Sequence, residues 1–202
     1  MTVSSSLNTG TFQKSQWNGS GEIPLRTVHD ASLDRFGSID PSEGGKTLRS
    51  TGRINYHYDL PSGGRFFANA YAQYYRFDLF TNFTFFLTDP VNGDGFQQSD
   101  RRIVYGGDLG YRHSGHFFDM DAVATVGVQA RIDAIHARLG PQVKRAPLGT
   151  TVDSNIDEAS YAPFLKLELQ PTPWLRLAGG VRTELFTFDV RNRCATYTDQ
   201  PA

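Results

Sequence analysis

The longest regular pattern in the chain is an alternation of apolar and polar residues from His116 to His136. Every second residue from Phe118 to Ala134 is apolar, nine in succession. The polar residues between them are Asp119, Asp121, Thr125, Gln129, Arg131 and Asp133. A period of two predicts a β-strand with one face against an apolar medium and the other against a polar one. Ordinary strands have about five or six residues, so this strand is about three times the usual length.

The same alternation and the turn signals divide the chain into six long strands after a stub that ends near Trp17. The predicted strands cover residues 47–60, 65–87, 101–113, 116–136, 158–169 and 174–190. The second strand changes phase near Tyr74 and Tyr75, and we predict a β-bulge there, because a one-residue slip would otherwise turn one apolar set to the wrong face. Pro163 predicts a second irregularity, because proline donates no ladder hydrogen bond.

The connections between these strands alternate in length. Residues 61–64, 114–115 and 171–173 are short turn signals, whereas residues 18–46, 88–100 and 137–157 are long polar segments. Short periplasmic turns and long external loops are typical of outer-membrane barrels. Aromatic residues near the short turns predict an interfacial ring at one depth: Tyr56, Tyr58, Phe66, Tyr111, Phe118 and Trp174.

Strand length supports the same interpretation. A strand that crosses a hydrocarbon core of about 30 Å at about 45° needs about 9–11 residues. The alternation over residues 118–134 would reach roughly 55 Å at about 3.3 Å per residue. The strands are therefore expected to continue beyond the membrane and to carry their loops above its surface.

Composition and net charge exclude few classes of protein. The mean hydropathy of −0.41 is low, but in a barrel only alternate residues meet lipid, so the average does not exclude one. A net charge of −1 gives no electrostatic reason to expect nucleic acid as a partner. The sequence contains no apolar run of 18 residues, so it predicts no transmembrane helix. The one cysteine, Cys194, excludes an intrachain disulfide; we interpret it as a solitary thiol, the alternative being a partner in another part of a longer protein.

Candidate chemistry in the sequence is sparse. No glycine-rich phosphate loop and no nucleophile elbow is present, so we expect no enzyme, no catalytic residue and no cofactor. His113 and His116 flank a short turn, but two ligands without a nearby cysteine favour a polar turn over a metal site. Residues 89–95 (DPVNGDG) loosely resemble a calcium loop, yet Val91 stands at the third position and the distal Glu is missing, which favours a flexible external loop.

Two charged pairs lie within the longest alternation. Asp119 and Asp121 are predicted on one strand face near a short turn, where they would meet solvent or a plug domain. Arg131 and Asp133, farther along the same face, are expected to be charges of the barrel lumen. The sequence assigns no ligand-binding residue and predicts no metal site.

Several segments resemble the barrel region of TonB-dependent outer-membrane receptors. They are DRFGSIDPSEGG (34–45), residues 74–113, VGVQARIDAI (126–135) and PTPWLRLAGGVRTELFTFDV (171–190). The most specific part is DRRIVYGGDLGYRH, residues 100–113. The resemblance covers residues 17–190. Residues 1–16 are then an N-terminal stub, and residues 191–202 are the start of an external loop or tail.

This resemblance implies an all-β fold, namely an antiparallel transmembrane β-barrel segment of six long strands plus a stub from a 22-stranded barrel. Such receptors bind scarce ligands, commonly ferric siderophores or cobalamin, and import them with energy from the TonB complex. The expected partners are outer-membrane lipid, the rest of the barrel and plug domain, the TonB complex and a metal-chelate ligand, but not nucleic acid. The expected location is the cell outer membrane.

The sequence departs from the family by showing no signal peptide, TonB box, plug domain or final strand that ends in an aromatic residue. We therefore expect a receptor fragment, from a truncated gene or an incomplete sequence, that is inactive by itself. Two alternatives stay open. One is a porin-like passive outer-membrane channel. The other is a soluble all-β carbohydrate-binding domain, in which the apolar stripe would pack against a second sheet.

Overall fold

Neighbouring strands pair antiparallel in chain order and form one sheet. The computed structural model describes residues 12–18 and 23–194 in full and residues 2–8 by their backbone. The strands are β1 (Thr2–Asn8), β2 (Phe12–Asn18), β3 (Gly44–Asp59), β4 (Gly64–Thr81), β5 (Phe96–Phe117), β6 (Met120–Val143), β7 (Ala146–Pro147), β8 (Val152–Thr172), β9 (Leu175–Arg182) and β10 (Leu185–Asn192). A five-residue helix, α1 (Leu25–His29), precedes β3.

The sheet has six long strand positions and a stub, as the sequence predicts. Strands β3, β4, β5, β6 and β8 lie side by side in that order. At one edge, β1 and β2 follow each other along β3. At the other edge, β9 and β10 follow each other along β8. The all-β, antiparallel fold class is thus confirmed.

The turn between β5 and β6 lies four residues beyond the predicted position. Gly115 pairs with Ala122 inside the hairpin, and the turn consists of Phe118 and Asp119. Their φ angles of 47° and 59° suit a two-residue turn whose twist matches that of the strands. The prediction of a turn at residues 114–115 is therefore wrong, and Asp119 is a turn residue that does not share a strand face with Asp121.

The predicted bulge in β4 is absent. Its pairing with β3 and β5 continues without a register shift from Gly64 to Thr81. Tyr74 and Tyr75 therefore lie on opposite faces, and the second apolar set of the strand turns to the other side. Beyond Tyr74 this face carries Arg76, which begins a charged row. The face is therefore no longer apolar at that level, and the second apolar set does not have to lie on it.

The irregularity predicted at Pro163 appears in the neighbouring strand. Pairing of β8 with β6 is continuous through Val128 and Pro163. On the other side, the backbone N–H of Thr183 donates to the Pro163 carbonyl at 3.2 Å, but proline has no N–H to return the bond. Strand β9 accordingly ends at Arg182 and β10 begins at Leu185.

Loop lengths are sorted between the two ends of the sheet, as predicted. The short connections at one end are residues 60–63, 118–119 and 173–174, and the longer ones at the other end are 19–43, 82–95 and 144–151. The third long loop is shorter than predicted, because Leu139 pairs with Val152 and extends both strands into residues 137–157.

From β3 to β9 the sheet has one apolar and one polar face. The apolar face carries large exposed side chains such as Ile54, Phe66, Leu109, Val126 and Leu165. The polar face carries residues such as Arg53, Asn69, Asp108, Gln129 and Arg131. Among the described residues the buried apolar side chains are Phe80, Val104 and Ala162 alone, so no second layer covers the apolar face within this part of the chain. No helix in the described ranges is long and apolar enough to cross a membrane.

Candidate functional site

Charged side chains on the polar face are paired with one another. Arg131 donates two hydrogen bonds to the Asp133 carboxylate, from Nε at 2.6 Å and from Nη2 at 2.8 Å. Asp133 is only 4% exposed. On neighbouring strands, Asn69 Nδ2 donates to Asp108 Oδ2 at 2.8 Å. The structure therefore brings Arg131 and Asp133 together on the face where the sequence places them.

An arginine–tyrosine row crosses this face nearer to the long loops. Arg49, Tyr75 and Arg102 are direct cross-strand partners on β3, β4 and β5. The guanidinium carbons lie 5.2 Å (Arg49) and 5.8 Å (Arg102) from the centroid of the Tyr75 ring, within the range of cation–π attraction. Arg102 also forms an ion pair with Asp100. Arg49 has no carboxylate partner among the described residues.

Aromatic side chains continue this surface towards the long loops. Phe77 follows Tyr75 on the same face, and its ring stacks on Trp17 with the centroids 6.2 Å apart. The Trp17 ring covers Gly45, where a Cβ atom would lie only 2.5 Å from Cζ2 of the indole. Guanidinium and aromatic groups on one surface suit an anionic ligand that also has flat or apolar parts. The sequence interpretation missed this row because the expected bulge turned Tyr75 and Phe77 to the wrong face.

The three long loops are hydrogen-bonded to one another. Asn82 donates from its backbone N to Glu43 Oε1 and from Nδ2 to Asp40 Oδ2, both at 2.9 Å. Arg145 donates from Nε to the Ser42 carbonyl at 2.7 Å and from Nη2 to the Glu43 carbonyl at 3.0 Å. These bonds join the loops that precede β3, follow β4 and follow β6 into one cap at the end of the sheet that carries the long loops.

The loop with the calcium-like sequence is held by its own carboxylates. Asp94 accepts hydrogen bonds from Thr84 Oγ1 at 2.7 Å, from the Thr88 backbone N at 3.0 Å and from the Asp89 backbone N at 2.7 Å. These donors, the Thr84 hydroxyl first, lower the pKa of Asp94 from 3.8 to about 2. Asp89 in turn accepts bonds from Asn92, first of all its backbone N–H, which lower the pKa of Asp89. The two carboxylates therefore organise the loop.

The two histidines near the β5–β6 turn do not form a common site. His113 lies on the apolar face with Nδ1 3.3 Å from the Tyr111 hydroxyl. His116 lies on the polar face with Nε2 3.1 Å from Asp121 Oδ1, its cross-strand partner. Across the ranges 12–18 and 23–194, no group of three or more His, Cys, Asp or Glu residues is arranged to hold a metal ion.

A two-faced antiparallel sheet with short turns at one end and long loops at the other is a segment of a β-barrel wall. No protein-family model and no curated protein matches the sequence. Among solved structures, the chain is similar to the ferric citrate transporter FecA in its unliganded form, with a TM-score of 0.69 and 16% sequence identity. The match covers 92% of this chain and 28% of the FecA chain. This likeness supports the barrel fold.

Proposed function

We propose that this chain is part of the wall of an outer-membrane active-transport receptor of the TonB-dependent kind. The observation that carries the proposal is the separation of the sheet into an apolar face and a charged face from β3 to β9. At the edge, β10 departs from it, because Phe186, Phe188 and Val190 lie on the polar face. In such a barrel the apolar face meets lipid and the polar face lines the lumen. The long loops are then external, and the short turns are periplasmic.

The height of the apolar band fits a membrane. On the apolar face the band extends from the row of Gly64 to the row of Tyr74 on β4, where Arg76 begins the charged row. The ten residue steps from Gly64 to Tyr74 span roughly 34 Å along the strand, which at a tilt of about 40° corresponds to roughly 26 Å. The apolar band of outer-membrane barrels is about 25 Å tall.

The ligand that we propose is a metal chelate of the ferric siderophore type, bound at the external end of the polar face. Support comes from the Arg49–Tyr75–Arg102 row, in which two guanidinium groups lie beside one aromatic ring. Arginine binds carboxylate-bearing anions with charge-assisted hydrogen bonds. Similarity in fold to a ferric citrate transporter favours the same chemical class. The chain supplies one part of the binding surface, and the rest of the barrel and a plug domain supply the remainder.

The two alternative functions, a passive channel and a soluble binding domain, differ from a receptor in their energy requirement and in their fold. A porin-like channel would have the same wall but would pass solutes without energy from TonB. A soluble carbohydrate-binding domain would need a second sheet over the apolar face, and the described residues provide none. We therefore infer transport and no enzymatic activity, with the chain alone inactive.

The test uses the complete reading frame that contains this chain, expressed in a bacterial host whose own ferric citrate uptake has been deleted. Accumulation of radioactive iron supplied as ferric citrate is measured with and without a functional TonB complex. We expect saturable uptake that requires TonB. An Arg49→Gln/Arg102→Gln double variant should take up less iron, whereas Arg112→Gln, on the polar face near the short turns, should not. Uptake that is unsaturable and independent of TonB would indicate a passive channel.

A further inference from the structure

A row of polar side chains that includes three arginines lies on the apolar side of the sheet, just above the apolar band. Arg76 pairs with Arg101 across β4 and β5, and Arg101 pairs with His136 across β5 and β6. Asn155 continues the row to Arg191 on β10. His136 is paired with Asp153, and Arg191 with Asp157 and Asp189, so the side chains of the row that matter for an anion are Arg76 and Arg101. On β4 and β5, the Arg76–Arg101 pair stands two residues, or about 7 Å, beyond the last lipid-facing positions of the proposed barrel, Tyr74 and Ile103. It therefore lies at the level of the lipid headgroups.

A small polar cavity of about 130 Å³ opens on this row. Three arginines and one aspartate contribute to its lining: Arg76, Arg101, Arg138 and Asp78. Asp78 is 2% exposed and accepts a hydrogen bond from Arg76 Nε at 2.9 Å. Arg138 Nη2 donates to Thr150 Oγ1 at 3.1 Å, and its Nε lies 3.4 Å from an Asp153 carboxylate oxygen.

Arg101 is the arginine of this cavity whose guanidinium group is available to a ligand. Its side chain is exposed, and within the described residues it makes no ion pair or hydrogen bond. The cavity volume is about four times the ~30 Å³ that one water occupies, which is enough space for a phosphate group. Phosphate oxygens form short, charge-assisted hydrogen bonds with guanidinium groups. Arg101 and the free Nη groups of Arg76 provide such donors.

A separate apolar groove lies farther along β4, β5 and β6, towards the short turns. It has a volume of about 460 Å³ and is a depression because small residues form its floor: Ala68, Ala70, Gly107 and Ala130. Tyr105, Leu109 and Ile132 form its larger walls. Gly107 lies six residues from Arg101 along β5, about 20 Å away. The groove therefore begins below the arginine row and runs into the apolar band.

We propose that this face binds one phosphate-bearing membrane lipid, with its phosphate between Arg76 and Arg101 and an acyl chain in the groove over Ala70 and Ala130. Basic clusters next to the hydrocarbon region attract anionic headgroups, and the small residues leave room for the chain. The inference rests on the proposed function, since the apolar face must lie in a membrane. Charge and shape select an anionic lipid over a zwitterionic one.

The experiment uses the complete outer-membrane protein, purified in a nonionic detergent and freed of lipid. Dioleoyl phosphatidic acid, dioleoyl phosphatidylcholine and inorganic phosphate are titrated separately, and binding is measured by native mass spectrometry and calorimetry. We expect phosphatidic acid to bind at least tenfold more tightly than phosphatidylcholine. The variants Arg76→Gln/Arg101→Gln and Ala130→Phe should each weaken this binding about tenfold, whereas Arg112→Gln on the opposite face should bind as the parent does.

Three results would overturn the lipid site. These are equal binding of the two lipids, unchanged affinity in the double variant, and binding of inorganic phosphate as tight as that of the lipid, which would indicate a free-anion site. Membrane insertion and iron uptake are measured on the same variants. If the parent protein inserts and imports iron but does not discriminate between the lipids, the lipid site alone is refuted. If the parent protein does not insert into membranes, the proposed function is refuted as well.

Discussion

The phenyl ring of Phe67 lies over Gly110, its cross-strand partner on the polar face. A Cβ atom on this glycine would be 2.5 Å from Cζ of Phe67 and 2.6 Å from the Val126 carbonyl oxygen. The Tyr71 ring covers Gly106 in the same way. Large rings on one strand thus occupy the space above glycines on the next, which protects their backbone and fixes the register of the strands.

Replacing Gly110 by valine should destabilise the barrel. The new side chain would meet both a ring and a backbone oxygen, and overpacking of this kind typically costs about 1–3 kcal/mol. We expect a lower urea midpoint for unfolding from lipid vesicles, followed by tryptophan fluorescence. The matched control is Gly52→Val, because a Cβ at Gly52 would have nothing within 4 Å. Equal midpoints for the two variants would show that the ring and glycine contact does not limit substitution.

The two faces should respond oppositely to a new charge. Val128 lies on the apolar face, near the middle of the band between Gly64 and Tyr74, so Val128→Arg should impair assembly by roughly 2–4 kcal/mol. Gln129, the next residue, is on the polar face, and Gln129→Arg should assemble almost normally. Assembly is measured as heat-modifiable migration on gels. Similar damage from both substitutions would mean that the faces are misassigned.

A charge at Val126 should have a smaller effect than one at Val128. Val126 shares a row with Phe66 and Tyr111, whose rings lie 4.8 Å apart near the short turns. This is the position of the expected aromatic ring at the interface, where an arginine costs about 0–1 kcal/mol. Assembly of Val126→Arg should therefore be intermediate between that of Val128→Arg and that of Gln129→Arg in the same gel assay.

Arg145 should hold the loop that precedes β3 against the rest of the cap. Arg145→Ala removes the two hydrogen bonds to the carbonyls of Ser42 and Glu43. We expect faster tryptic cleavage at Arg35 on intact cells, while the barrel itself stays assembled. Arg112→Ala is the control, since Arg112 lies near the short turns at the other end of the sheet. Unchanged cleavage in Arg145→Ala would place the stability of the cap in other contacts.

The loop over residues 82–95 should open only in strong acid. Folding lowers the pKa of Asp94 from 3.8 to about 2, so its hydrogen bonds are fully stabilising above about pH 4 and are lost as the pH falls through about 2. Hydrogen–deuterium exchange of this segment, corrected for intrinsic rates, should increase between pH 4 and pH 2. Asp94→Asn removes one of the two titrating carboxylates of the loop and leaves Asp89, so its exchange should change less than that of the parent over this range. A parent loop with equal protection at both pH values would contradict the assignment.

Much of the fold is encoded locally in the sequence. The alternation from Phe118 to Ala134 determines that a strand separates two media, because successive side chains point to opposite faces of any strand. The same periodicity places Arg131 and Asp133 on one face. The sorting of turn signals by length determines which end of the sheet carries the long loops.

Cross-strand register decided the rest, because it depends on residues far apart in the chain. The turn at Phe118 and Asp119 follows from the pairing of β5 with β6 and differs from the local Ser–Gly signal by four residues. The position of Tyr75 between Arg49 and Arg102 follows from the unbroken register of β4. The sequence by itself therefore determined a two-faced barrel wall with long loops at one end. Only the tertiary structure decided which arginines lie beside the Tyr75 ring and which line the cavity at Arg76 and Arg101. The physical reason is that hydrogen-bond register aligns side chains from different strands, which no local sequence pattern relates.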